Sequence, residues 1–436
     1  MSKEARNKKW AGAAASVAAI ALVSACSAEG ATDGGSDGSA GSGGGETVTL
    51  EFAQWWEPEL PEGVLRGIMD DFEEANPGIE VELLSGPYAS TKEQVVAGAA
   101  SGTMSDVVGL DGAWVSDFVD QGSIADLSAL MSEASYDESQ LASQVQLGGS
   151  TYMIPVVNFA YMLFTNDDIL GEAGIDSAPE TRSEFADAAT AVSALGDNTS
   201  GWVLPLSLET PNGIQNDVMS WVWASGASML TEDGQPDVDN ADVQSAVQFI
   251  VDLNDAGAIA PGAANLKEQD KVEEFSNGRA AMMISSLAHI NTLRESSPDL
   301  NFSLHAVPAE DGYSGERGTP YASWGIGVAE NSEHKAEAWK LVDYLMSETA
   351  NGELADAANA FPGNSTAVPA FVENDEIFQS AFDVWSAGYP ANEFVGLPVA
   401  EQLMREMDEE LQRVLNGDQS VEDALAATQA AWEEQF

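Results

Sequence analysis

From residue 47 onward the apolar positions alternate between two periods, short β-rich runs and longer helical ones, the pattern of an α/β protein whose sheets are covered by helices. Residues 47–52 predict a strand and 64–74 an amphipathic helix. The helix is ended by Asn76-Pro77-Gly78, and 79–84 predicts a second strand. A helix over 91–100 and a buried strand over 106–110 follow. Next come two strands, 151–155 and 161–165, separated by 156–160, where the chain is able to pass from one lobe to another. Helices are predicted over 167–173, 182–195, 214–224 and 243–256, with a turn at Glu232-Asp233-Gly234. Strands are predicted over 280–284 and 323–329. From Lys335 the chain reads as mainly helical, and no internal repeat is found.

The amino terminus departs from this pattern. Lys3, Arg6, Lys8 and Lys9 precede an apolar run over 10–25 that stops at Cys26, the form of a signal peptide. The run is shorter than the ~20 residues a spanning helix needs, so no permanent membrane span is predicted. Val23-Ser24-Ala25-Cys26 resembles the bacterial lipobox, which implies a lipidated Cys26 as the first mature residue. The alternative is an ordinary signal peptide with an incidental cysteine. Cys26 is the only cysteine, so it has no partner for an intramolecular disulfide. Residues 27–45 are almost wholly Gly, Ser, Ala, Asp and Thr, the composition of a flexible tether.

Charge narrows the ligand. Without residues 1–25 the chain has 12 basic and 71 acidic side chains, a formal charge of −59. Such a surface repels nucleic acid and anionic lipid and disfavours phosphorylated or carboxylated ligands, unless the charge serves only solubility or salt tolerance. The residues after the tether are too many for one ordinary core and suit two lobes. Eleven tryptophans exceed the usual needs of a core, which leaves some to line a binding site.

Motifs for chemistry are missing or misplaced. No Gly-Lys dipeptide occurs, so there is no Walker A loop. His289, His305 and His334 lack metal-ligand spacing, and no metal or cofactor is expected. The one GxSxG match, at 34–38, lies in the tether. Asp237-Val238-Asp239-Asn240 lacks the glycine and final glutamate of a calcium loop and reads as a turn into a helix cap. No carboxylate stands in a context that marks a catalytic pair, so no catalytic residue is assigned.

Five segments, in order, resemble the family 1 extracellular solute-binding proteins of ABC importers, of maltose-binding-protein type. They are 71–81 (Asp71-Phe72-Glu73-Glu74-Ala75-Asn76-Pro77-Gly78), 106–130 ending Gly122-Ser123-Ile124-Ala125-Asp126-Leu127, and 149–174 with Tyr152-Met153-Ile154-Pro155. The last two are 275–282 (Phe275-Ser276-Asn277-Gly278-Arg279-Ala280-Ala281-Met282) and 321–346 with Ala338-Trp339 and Tyr344-Leu345. The resemblance implies a two-lobed periplasmic-binding-protein-like α/β fold with hinge crossovers between the lobes. By analogy lobe 1 takes 46–157 and 325–375, and lobe 2 takes 158–324 and 376–436.

It also implies an interlobe cleft, where aromatic faces and hydroxyl-satisfying amides or carboxylates would hold a sugar. Trp55, Trp56 and Glu57 follow the first strand toward that cleft, with one tryptophan expected at the ligand and the other against the first helix. Asp111 stands at the family's cleft loop, as a ligand contact or a helix cap. Asn158 lies in the first crossover, and Asn212 and Asn216 lie where a helix begins, with capping the alternative. Trp221 and Trp223 are two apart in that helix, so at most one looks into the cleft. The family's Gly-x-Trp after the Ala-Met strand is replaced by Ser286-Leu287-Ala288-His289, which leaves Ser286 and His289 to reach a hydroxyl. Trp324, on the second crossover, becomes the leading stacking residue, and Phe361 before Pro362-Gly363 a lesser one.

The expectation is therefore a monomeric lipoprotein on the outer face of the cytoplasmic membrane. It captures a carbohydrate, delivers it to an ABC permease, and catalyses nothing. A binder of polyamines or other cationic solutes is the alternative within the class, and a secreted glycoside hydrolase is the alternative outside it.

Overall fold

The computed structural model describes residues 47–196 and 198–436; the predicted signal peptide, Cys26 and the tether lie outside the described residues. Its strands, in chain order, are β1 (Val48–Gln54), β2 (Ile79–Ser85), β3 (Val107–Leu110), β4 (Val145–Leu147), β5 (Ser150–Asn166) and β6 (Ser200–Trp202). Then follow β7 (Ala280–Ser286), β8 (Phe302–His305), β9 (Gly318–Val328), β10 (Phe361–Pro362) and β11 (Tyr389–Ala391). Hydrogen bonding connects them in the order β2-β1-β3-β9-β5-β7-β6. β1 is parallel to β2 and β3, and β6 to β7. Parallel neighbours need a covering crossover, and helix Val64–Ala75 supplies the first. It buries Leu65, Ile68, Met69 and Phe72 as one stripe. The predicted breaker ends it, with Gly78 at φ +100°.

The core is divided. One apolar cluster draws on residues 50–157 and 324–360, and two others fill the two faces of the sheet formed by β5, β6, β7 and β8. We call these lobe 1 and lobe 2. β5 and β9 serve both lobes and pair antiparallel from Ile154↔Ile326 to Ala160↔Tyr321. Among the described residues no helix is long and apolar enough to cross a membrane.

Two elements differ from the sequence-based expectation. The strands predicted over 151–155 and 161–165 are one strand, because 157–160 keep their ladder with β9. Pro155 has no N–H to give the ladder, and a register shift between Pro155 and Val157 bends the strand without breaking it. The helix predicted over 214–224 begins as a π-helical turn, Ile214–Val218, followed by Ser220–Trp223. Met219 N–H donates five residues back to the Ile214 carbonyl at 2.8 Å. Gly213 permits the turn, since a Cβ there would lie 1.7 Å from the Pro205 carbonyl oxygen.

Behind the β5–β9 pair a third passage of chain, β10 and Gly363, lies on β5. Gly363 N–H donates to the Val156 carbonyl at 2.8 Å, and a Cβ at Gly363 would meet the Pro155 oxygen at 1.8 Å. Asn351 Nδ2 also donates to the Val156 carbonyl, at 2.9 Å. Three strands of chain thus cross between the lobes.

Helix Ala400–Leu415 of lobe 2 carries one costly group. Asp408 is wholly buried. Its Oδ1 accepts from Gln412 Nε2 at 3.1 Å, while Oδ2 has no partner. Burial pushes its carboxyl from 3.8 up to about 7, against the Gln412 hydrogen bond. Because the folded pKa exceeds the unfolded one, full stability is present below about pH 4 and is lost as pH rises through about 7. Asp408→Asn is expected to raise Tm at pH 8 and to change it little at pH 4, measured by calorimetry at both pH values.

Candidate functional site

Lobe 1 contributes the carboxyl ends of its strands. Gln54, the last residue of β1, fixes the turn that follows: its Oε1 accepts from Glu57 N–H at 2.9 Å and its Nε2 donates to Ser85 Oγ at 2.6 Å. Ser85 in turn donates to the Glu57 carboxylate. Trp55 packs edge-on to Tyr88 at 5.2 Å and tilts against Trp114 at 5.4 Å. Trp56 stacks on Trp324, with centroids 5.6 Å apart and planes 7° apart. Its Nε1 is buried without a hydrogen-bond partner. Of the two tryptophans, Trp56 is therefore the one joined to the hinge.

Asp111 caps the short helix Gly112–Trp114 through Ala113 N–H at 2.9 Å. Its other oxygen accepts from Tyr88 Oη at 3.0 Å. Burial pushes its carboxyl up, and the Ala113 and Tyr88 hydrogen bonds oppose that. The capping alternative is what the geometry shows.

At the hinge, strand alternation decides which residues face which way. Val157 and Phe159 share a face with their partners Trp324 and Ala322, and Phe159 meets Trp324 edge-on at 5.1 Å. Asn158 points to the opposite face, where its Nδ2 reaches the Pro362 carbonyl at 3.4 Å. Phe361 packs on that same back side with Phe382 and Trp385, at 5.6 and 5.4 Å. The structure does not bring Asn158 or Phe361 to the aromatic face with Trp324.

Lobe 2 presents Tyr161, beside Ser286 in the β5–β7 ladder. Burial, then the carboxylates of Glu268, Asp217 and Asp111, push its hydroxyl well above the usual range, against a hydrogen bond with Asn216. Ser286 Oγ accepts from Ala288 N–H at 3.2 Å, shaping the turn to His289. The His289 Nδ1 lies 2.8 Å from Ser285 Oγ and 3.8 Å from a Glu268 oxygen. Asn216 is buried beside Tyr161, while Asn212 is exposed. Trp221 is fully buried among Phe185, Trp202 and Phe249, so it is lobe 2 core and does not reach the cleft. The indole of Trp223 donates to Glu393 at 2.7 Å.

Sequence reasoning missed Tyr161, Asp217, Glu268 and Lys271. Lys271 is fully buried, and its ammonium donates to Asp217 at 3.0 Å, to Glu268 at 2.8 Å and to the Ile284 carbonyl at 2.5 Å. Burial pulls the ammonium down, but the Asp217 and Glu268 carboxylates outweigh it and raise its pKa. Burial pushes Asp217 the other way, up, against the pull of Lys271. In sequence, Glu268 and Lys271 look like an ordinary solvated i, i+3 pair. Only the residue spacing of that helix hinted otherwise, since Lys271, Val272 and Phe275 all face inward.

Two α/β lobes joined by crossing strands, with aromatic side chains at the hinge and polar ones beside them on lobe 2, form an arrangement suited to capture of a small solute by hinge closure. The sequence profile of the bacterial extracellular solute-binding proteins matches residues 57–352. The chain belongs to this family. A binding protein of Brucella abortus (strain 2308) is 28% identical over 298 residues, which cover 67% of this chain and 71% of that protein. Similar folds are seen in the GacH receptor of Streptomyces glaucescens GLA.O, at 22% identity and TM-score 0.70 over 89% of this chain and 98% of that one. The cyclic alpha-maltosyl-1,6-maltose binding protein of Arthrobacter globiformis has 19% identity and TM-score 0.77, covering 89% of this chain and 98% of its own. The sugar-binding protein MalE of Xanthomonas citri has 20% identity and TM-score 0.74, covering 89% and 97%.

In this solute-binding protein the lobes also touch through a strap at 392–399. Glu393 anchors it to lobe 2, accepting from Trp223, Ser228 and the Met229 N–H. Phe394 and Leu397 enter the lobe 2 core, whereas Val395 packs on the lobe 1 core. Gly396 N–H donates to the Gly112 carbonyl at 3.0 Å, and Lys92 pairs with Glu401 at 2.9 Å. A Cβ on Gly112 would sit 2.7 Å from Val395.

Two outcomes follow from this geometry. Gly112→Ala should wedge the lobes apart, giving a larger radius of gyration by small-angle scattering and a loss of about 1–3 kcal/mol in urea unfolding. An unchanged radius would show that the strap does not limit closure. Lys271→Met strands Asp217 and should cost about 3–5 kcal/mol in the same assay. Adding Asp217→Leu is expected to recover most of that.

Proposed function

We propose that this protein captures a carbohydrate in the interlobe cleft and delivers it to the membrane subunits of an ABC importer. The observation that carries the reading is the Trp324–Phe159 aromatic pair at the hinge, backed by the buried Trp56 and set beside the polar wall of Tyr161, Asn216, Glu268 and His289. Aromatic faces cover the C–H side of a sugar ring, and the polar wall satisfies its hydroxyls. The sugar-binding relatives of the same fold support this choice of solute. Trp55, Glu57, Ser286 and Asp111 shape the walls, and lobe 1 (46–157 with 325–375) and lobe 2 (158–324 with 376–436) move about the three crossovers. Cys26 is the lipid anchor in this reading, with 27–45 as a leash to the outer face of the cytoplasmic membrane. The protein acts as a monomer and performs no reaction.

A thermal-shift screen against neutral sugars, polyamines and amino acids tests the solute class, because a ligand that binds only the native state raises Tm. A rise with one sugar series is expected. A rise with polyamines alone would replace the carbohydrate by a cationic solute. Tyr161→Phe should weaken the sugar about tenfold by calorimetric titration with little change in unliganded Tm.

A further inference from the structure

The Lys271 cluster leaves one group unused. The ammonium has three N–H donors, and Asp217, Glu268 and the Ile284 carbonyl take one each. Lys271 is therefore saturated, and its single positive charge faces two carboxylates. Glu268 uses Oε2 for the lysine, while Oε1 is buried with no hydrogen-bond partner. His289 Nδ1 stays 3.8 Å from that oxygen. Burying a carboxylate oxygen with no donor is costly, and a native site that does so usually meets a partner there.

The position of Glu268 sets it close to Tyr161: the Lys271 ammonium whose hydrogen bond it accepts lies 5.8 Å from the centre of the Tyr161 ring. It opens helix Glu268–Ser276, the helix that packs on β7. The carboxyl end of β7 stands beside Tyr161, just past the hinge. Burial first, and then the Glu268 carboxylate, pushes the Tyr161 hydroxyl above its usual range. Lys271 also holds the glutamate rigidly, so little side-chain entropy remains to be lost on binding.

We infer that Glu268 is a ligand-contacting carboxylate of lobe 2, accepting a hydrogen bond from a hydroxyl or amino group of the sugar and excluding acidic sugars from the cleft. This rests on the carbohydrate reading above. A carboxylate accepts from a hydroxyl or an ammonium, and it repels another carboxylate brought to the same place. The nearby cation does not offset this, because its donors are consumed within the cluster. The inference gives the site a charge rule: neutral and amino-bearing sugars enter, while uronic acid sugars do not.

The test titrates the full-length chain and its Glu268→Gln variant with maltotriose, a chitosan oligosaccharide and an oligogalacturonide, together with the sugar series found in the screen. Wild type is expected to bind neutral or amino sugars and to refuse the oligogalacturonide. Glu268→Gln should lose about tenfold or more on the bound sugar, a charge-assisted hydrogen bond being lost, with unliganded Tm nearly unchanged. Its discrimination against the acidic oligomer should narrow. Glu268→Asp, which keeps the charge but withdraws the oxygens, should give an intermediate loss and serves if the glutamine variant folds poorly. Equal affinity in wild type and both variants overturns the inference, as does wild-type binding of the oligogalacturonide. Failure of wild type to bind any sugar overturns the carbohydrate reading beneath it, an outcome visible before any variant is compared.

Discussion

The backbone ladder between β5 and β9 is the constraint on which the rest of the molecule depends. Both strands run from one lobe into the other, and six register pairs from Ile154↔Ile326 to Ala160↔Tyr321 hold them together. A strand pair resists stretching but accepts twist and bending, and the register shift at Pro155 places a bend inside it. The lobes can therefore turn about the ladder without giving up its hydrogen bonds. The same ladder sorts side chains by parity. Val157, Phe159 and Trp324 fall on one face, and Asn158 falls with Phe361 on the other. A shift of one residue would exchange the aromatic face for the back side.

Charge is handled differently inside and outside. With 72 acidic and 16 basic side chains, most carboxylates face water. Two cations are nevertheless withdrawn into lobe 2. Arg182 is buried, and its guanidinium donates to the Trp221 carbonyl at 2.7 Å, bracing the aromatic cluster of the core. Lys271 instead sits under the cleft wall between Asp217 and Glu268. A buried ion cluster of this kind contributes little net stability compared with apolar packing, but it fixes geometry. What it fixes here is the position of Glu268 relative to Tyr161 and His289.

Much of the fold was legible because its signals are local. The Asn76-Pro77-Gly78 stop, the apolar stripe of Val64–Ala75 and the β1 and β2 runs each depend on neighbours in sequence. The hinge was legible as a place and not as a conformation, since 156–160 read as a passage between two strands when β9 in fact continues the pairing. Losing that continuity also lost the parity that sends Asn158 to the back. Trp56 and Trp324, singled out in the sequence as aromatic residues at a strand end and a crossover, do meet, stacked on one another at the hinge. Trp221 looked equally available, yet its cover is Phe185, Trp202 and Phe249, from three distant segments. Lys271 was nearly as hard to see: the spacing of its helix hints that it faces inward, but its partners Asp217 and Ile284 come from distant segments.

The strap joins these parts into a device. Phe394 and Leu397 belong to one core and Val395 to the other, so three residues within 394–397 are committed to both lobes at once. Opening the cleft must either pull Val395 off Gly112 or carry the strap away from Glu393's donors. The second route breaks three hydrogen bonds to one carboxylate, from Trp223, Ser228 and Met229. The first gives up one apolar contact, one hydrogen bond from Gly396 and the exposed Lys92–Glu401 pair, which contributes about 0–1 kcal/mol. Opening therefore takes the first route, and the strap travels with lobe 2. Under the proposed carbohydrate reading, a solute bridging Trp324 and Tyr161 would add free energy only to the state in which the strap's contacts with lobe 1 are made, which would join binding and closure in one equilibrium.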